Sequence, residues 1–91
     1  LDGFWHISET QAHQSGVDYG NGSRSIRVVA RKIEGEHLSY VVVKIPGGSH
    51  WAGRGMGSAS HPGAYHVLQI IEEKQPGIYR CKDLMEFPLR N

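Results

Sequence analysis

Three histidines and an arginine stand within twenty residues, GGSHWAGRGMGSASHPGAYH, positions 47 to 66: His50, Arg54, His61 and His66. Imidazoles exchange protons near neutral pH and a guanidinium grips phosphate, so this set carries what metal-independent cleavage of RNA requires. One group takes the 2′-hydroxyl proton, a second protonates the leaving oxygen, and the cation stabilises the five-coordinate phosphorus between them. If the chain is a nuclease, His50, His61 and His66 are the candidate catalytic residues and Arg54 the phosphate clamp. Convergence of these side chains is then the structural requirement.

The same segment also suits binding without chemistry. Trp51 offers a large face for stacking, His50 and Arg54 can hold a backbone phosphate, and six of the chain's twelve glycines permit close approach to a ligand. Charge is unevenly placed along the chain despite a net value of +1. Residues 1 to 23 contain acids and no Lys or Arg, whereas residues 24 to 54 carry six cations against Glu34 and Glu36. A basic strand face of Arg27, Arg31 and Lys44, with Tyr40 and Trp51 as stacking residues, is the expected ligand surface. A nucleic-acid-binding module for single-stranded RNA or DNA is accordingly the leading expectation, the small ribonuclease is second, and whether the chain is an enzyme stays open. A third reading, from a different class, is a protein-interaction domain in which Trp5, Tyr19, Tyr40 and Trp51 line a peptide groove.

Several other chemistries are excluded by spacing. The run Gly53-Arg54-Gly55-Met56-Gly57-Ser58 lacks the third glycine of a dinucleotide fingerprint and the Gly-Lys-Ser/Thr of a phosphate-binding P-loop. Six histidines with one cysteine do not supply a close set of three or four zinc ligands, so no metal and no cofactor is expected. No apolar run approaches the length that spans a bilayer, and no basic leader precedes an apolar stretch, so no membrane partner is expected either. Cys81 cannot form an internal disulfide and reads as a small core residue, which points weakly to a reducing, cytoplasmic compartment. Asn21-Gly22-Ser23 fits a glycosylation sequon but reads better as a hairpin turn.

The elements that must position these residues are strands. SIRVVARKIEGEHLSYVVVKI holds two β-branched runs, near 25 to 33 and 38 to 45, joined by a turn at Gly35. Alternation puts Ile26, Val28 and Ala30 on one face of the first run and Arg27, Val29, Arg31 and Ile33 on the other. A second hairpin follows near 64 to 72 and 78 to 82, turned by Lys74-Gln75-Pro76-Gly77. GFWHIS reads as a further short strand, residues 9 to 24 as a polar connection, and DLMEFPLRN as a turn of helix ending extended at Pro88. Residues 46 to 64 read as one long Gly-rich loop. Residues 1 to 91 are thus expected to form a single small domain, and the start at Leu1 suggests a piece cut from or processed out of a longer chain. The expected class is mostly β: a small SH3-like or OB-like barrel, or a curled antiparallel sheet. The alternative is an α+β fold with one helix near 65 to 74. A bare edge strand would also allow a homodimer.

Overall fold

A computed structural model describes residues 1–17, 26–51 and 58–89, leaving out the side chains of 48–51 and 58–61. Among the described residues there are six strands and no helix: β1 (Gly3–Ile7), β2 (Ala12–Gln14), β3 (Arg27–Glu34), β4 (His37–Trp51), β5 (Ser58–Gln75) and β6 (Ile78–Pro88). All neighbouring pairs are antiparallel, in the order β2-β1-β6-β5-β4-β3. The two outer strands then approach each other at one corner. There Gln11 bridges Arg27, the amide of Ala12 donates to Ile26 O at 3.2 Å, and that of Val28 donates to Thr10 O at 2.9 Å. The sheet is therefore a curled half-barrel, the small barrel-like class that the sequence leads one to expect.

Curling gives the sheet a concave side, and the period-2 alternation of the strands fills it. Trp5 and Ile7 of β1, Ala12 of β2, Val41, Val43 and Ile45 of β4, Leu68 of β5 and Cys81 of β6 pack there around Ile26. Val28, Leu38, Ile70 and Tyr79 close the ends of this cluster. Buried Gln14 joins it because its amide nitrogen donates to the carbonyls of Leu1 and Asp2, at 3.2 and 2.9 Å.

Four expectations need correction. Residues 65 to 74 continue β5, so the alternative helix is absent; Tyr65, Val67 and Ile70 pair with β6 and propagate the ladder. The tail from Asp83 to Pro88 is likewise strand, held against β5 rather than coiled. Ala12 to Gln14, read as part of a polar connection, forms β2 because every second residue turns inward. Most consequentially, the Gly-rich loop is largely a hairpin: Pro46 pairs with Gly63, Gly48 with His61, Ser49 with Ser60, His50 with Ala59 and Trp51 with Ser58.

Gly63 shows what allows that extension. Its φ is +85°, and a Cβ placed there would lie 2.5 Å from Gly47 N, 2.7 Å from Ile45 O and 2.9 Å from Pro46 C. Gly77, in the β5–β6 turn, has a similar φ of +84° but open space where its Cβ would be. Gly77→Ala should therefore cost only the backbone strain, about 1 kcal/mol, whereas Gly63→Ala adds a clash with backbone that cannot swing away and should cost about 2–3 kcal/mol. Urea unfolding of the two variants checks the difference; equal midpoints would mean that the close approach at Gly63 is relaxed in solution.

Candidate nucleic-acid interface

Residues directly opposite in an antiparallel sheet share a face, so the register of β3 to β6 defines rows across the convex side. The first row is Arg27, Lys44, Tyr65 and Phe87; the second is Ala30, Val42, Val67 and Met85; the third is Lys32, Tyr40, Gln69 and Lys82. None of the twelve is buried, and Val42, Lys44, Tyr65 and Val67 at the centre alternate with buried residues of β4 and β5. At strand and residue spacings of ~4.8 and ~3.4 Å, the rows cover roughly 15 × 14 Å.

The chemistry of this grid is one-sided. It holds four cations, three aromatic rings and no carboxylate. Lys44 Nζ lies 5.9 Å from the centre of the Tyr65 ring and Lys32 Nζ 5.7 Å from that of Tyr40, distances at which a cation is drawn to an aromatic face. Phe87 and Met85 are 53% and 54% exposed, so the apolar part of the surface lies open to solvent. The nearby carboxylates Asp83 and Glu86 pair in register with Leu68 and His66, both core residues, and so belong to the opposite side. Acid and base are thus sorted to different faces of β6 by alternation together with a bulge at Leu84, the extra residue between Asp83 opposite Leu68 and Met85 opposite Val67.

Arg31 does not join Arg27 and Lys44. It pairs with Val41, whose side chain is buried, and so stands on the concave side. The cause is a bulge: Val28 pairs with Val43 and Ala30 with Val42, so Val29 is an extra residue that reverses the alternation after it. Electrostatics agree with that position, because Arg31 acts on Tyr79, a residue packed against the core. Burial and a hydrogen bond with Glu73 push the Tyr79 phenol above its ordinary range, and the Arg31 charge opposes the shift.

His66 is the sequence-derived catalytic candidate whose side chain is described. It lies inside the barrel, 8% exposed, with Nδ1 2.8 Å from Asp83 Oδ2 and Nε2 3.6 Å from Glu86 Oε1. Asp83 Oδ2 also lies 3.3 Å from the amino group of Leu1, and the Asp83 amide donates to Asp2 Oδ1 at 2.7 Å. This is a satisfied polar cluster at one end of the core. His50, Trp51 and His61 have described backbones, on the paired extension of β4 and β5, but their side chains lie outside the described residues. Arg54 and Tyr19 lie outside them altogether, as does the Asn21-Gly22-Ser23 turn. Trp5, expected in an aromatic groove, is instead fully buried at the centre of the core.

The chain matches no protein-family model, no curated protein and no solved structure. Function is therefore to be sought in the surface itself. Of the residues composing the grid, Lys32, Tyr65, Lys82, Met85 and Phe87 were not singled out by composition or motif. Their signal is the pairing register: Tyr65 becomes a neighbour of Lys44 only once β5 is set against β4, and Phe87 only once the tail is recognised as strand. Cys81, by contrast, sits where its sequence context placed it, in the core, and burial raises its thiol to about 12, which makes it a poor nucleophile.

Proposed function

We propose that this domain binds single-stranded nucleic acid on the convex face of β3 to β6. The observation that carries the reading is the grid itself: stacking rings flanked by cations, with Asp83 and Glu86 turned to the other face, Glu72 paired with Arg80 beyond its third row, and Glu34 at its margin. Tyr40, Tyr65 and Phe87 would stack on unpaired bases, which every sequence offers, while Arg27, Lys32, Lys44 and Lys82 neutralise the phosphates running beside them. Residues 46–51 and 58–63 extend the same two strands beyond the grid, and Trp51 and Arg54, from the same stretch of sequence, are the further contacts this reading assigns to the ligand. RNA is the natural first ligand to test, with the matching DNA strand as comparison. Binding is placed ahead of cleavage because His66 is enclosed and its Nδ1 is taken up by Asp83.

Fluorescence anisotropy of an end-labelled single-stranded RNA, titrated at several salt concentrations with EDTA present, tests this. Each phosphate contact on a single strand contributes about 0.7 to the slope of log K against log salt. Arg27→Ala and Lys44→Ala should each flatten the slope by about that amount, and Arg31→Ala, which removes a cation from the other face, should leave it unchanged. An equal loss in Arg31→Ala would reduce the effect to net charge and take the convex face out of the explanation. Anisotropy that falls below the value of free RNA over time would instead report cleavage without a metal.

A further inference from the structure

We infer that His6 and His13 form a two-histidine site for a borderline divalent cation of the zinc(II) type. The site is separate from the grid and does not depend on the nucleic-acid reading. His6 on β1 and His13 on β2 are directly opposite in the register, both are exposed, and their ring centres lie 6.2 Å apart with planes inclined at 42°. A zinc ion bonded at ~2.0–2.1 Å to one nitrogen of each of two imidazoles sets the ring centres about 5–6 Å apart. A small rotation of either side chain spans the difference.

The backbone beneath the pair is fixed before any ion arrives. β1 is paired on both sides, His6 with His13 on β2 and with Ile78 on β6. The connection between the two histidines is tied by Ser8: its Oγ accepts from the amides of Thr10 and Gln11, at 3.4 and 3.0 Å, and donates to Gln11 O at 3.1 Å. Chelation by a pre-set pair loses little freedom on binding, and the second imidazole acts at a high effective concentration. An open groove of about 510 Å³, bordered by Ser8, Gln11 and Gly77, runs beside the two rings and has room for the waters that complete a coordination shell. Among the described residues no three metal-binding side chains come together, so this is a labile site with open positions rather than a closed structural one. Imidazole donors select zinc, copper or nickel over magnesium or calcium.

Metal binding here would clip β1 to β2, whose start at Ala12 and preceding Thr10 join the sheet's far edge through Ile26 and Val28, so it should also stabilise the fold. The test is calorimetric titration of the full chain with zinc chloride, together with thermal melts with and without zinc. One zinc per chain is expected, with a rise in Tm. His6→Ala and His13→Ala should each weaken binding by about tenfold or more and abolish the rise, the double variant should be no worse than either single one, and His37→Ala should behave as the parent. Because both rings are exposed, the zinc-free variants should melt like the parent. Parental zinc affinity in His13→Ala, or a loss that follows His61→Ala and spares His13→Ala, would overturn the assignment.

Discussion

A Trp5→Ala chain should be less stable than the parent by about 3–5 kcal/mol, the usual loss when a buried aromatic residue is cut back to alanine. Trp5 is fully buried, pairs in register with Gln14 on one side and Tyr79 on the other, and donates its indole N–H to Leu1 O at 3.1 Å. It thereby joins the short β1–β2 edge to the main sheet through the core. A domain of this size has a total stability of roughly 5–14 kcal/mol, so the loss takes from about a fifth of it to all of it. Trp5→Phe keeps most of the ring and loses the hydrogen bond, and should lose clearly less. Far-ultraviolet circular dichroism during urea unfolding separates the two variants and is preferable to fluorescence, to which Trp51 contributes. A loss under 1 kcal/mol in Trp5→Ala would show that the β1–β2 edge is not packed onto the core in solution.

What the sequence conveyed was the presence of strands, and what it concealed was their register. The β-branched runs around Val28 and Val42 and the Pro76-Gly77 turn announce hairpins, because those residue types have few other uses in such a pattern. The bulge at Val29 carries no such signature, yet it decides that Ala30 and Lys32 face outward with Arg27 while Arg31 faces the core side. Strand ends were lost for a related reason. Gly48, Ser49, Ser60 and His61 have weak strand preference, and their ladder is visible only once close approach at Gly63 brings the two backbones together. The polar cluster of His66, Asp83 and Glu86 was equally hidden, since its members are separated by up to twenty positions and meet only through the β5–β6 pairing. Candidate residues on one strand could thus be named in advance, whereas their partners across the sheet could not.

Tyr65 and Phe87 should account for the largest share of ligand affinity. They are opposite neighbours on β5 and β6, on the convex face, with Lys44 beside Tyr65. Loss of a base–aromatic stack costs about 1–3 kcal/mol, so each alanine variant should bind single-stranded RNA about 5- to 150-fold more weakly. The double variant reports how the rings are used. If both grip one base, removing the second ring adds little; if they hold successive bases, the two losses add. Neither change should flatten the salt dependence as Lys44→Ala does, because stacking releases no counterions. Phe87 is more than half exposed and Tyr65 is not buried, so the melting temperatures should remain close to the parent's. Stacking and charge neutralisation therefore leave different marks on the same titration, one on its height at every salt concentration and the other on its slope. Parental affinity in the Tyr65→Ala/Phe87→Ala chain would mean that the rings do not meet the ligand, and binding by the cations alone would then be non-specific attraction between charges.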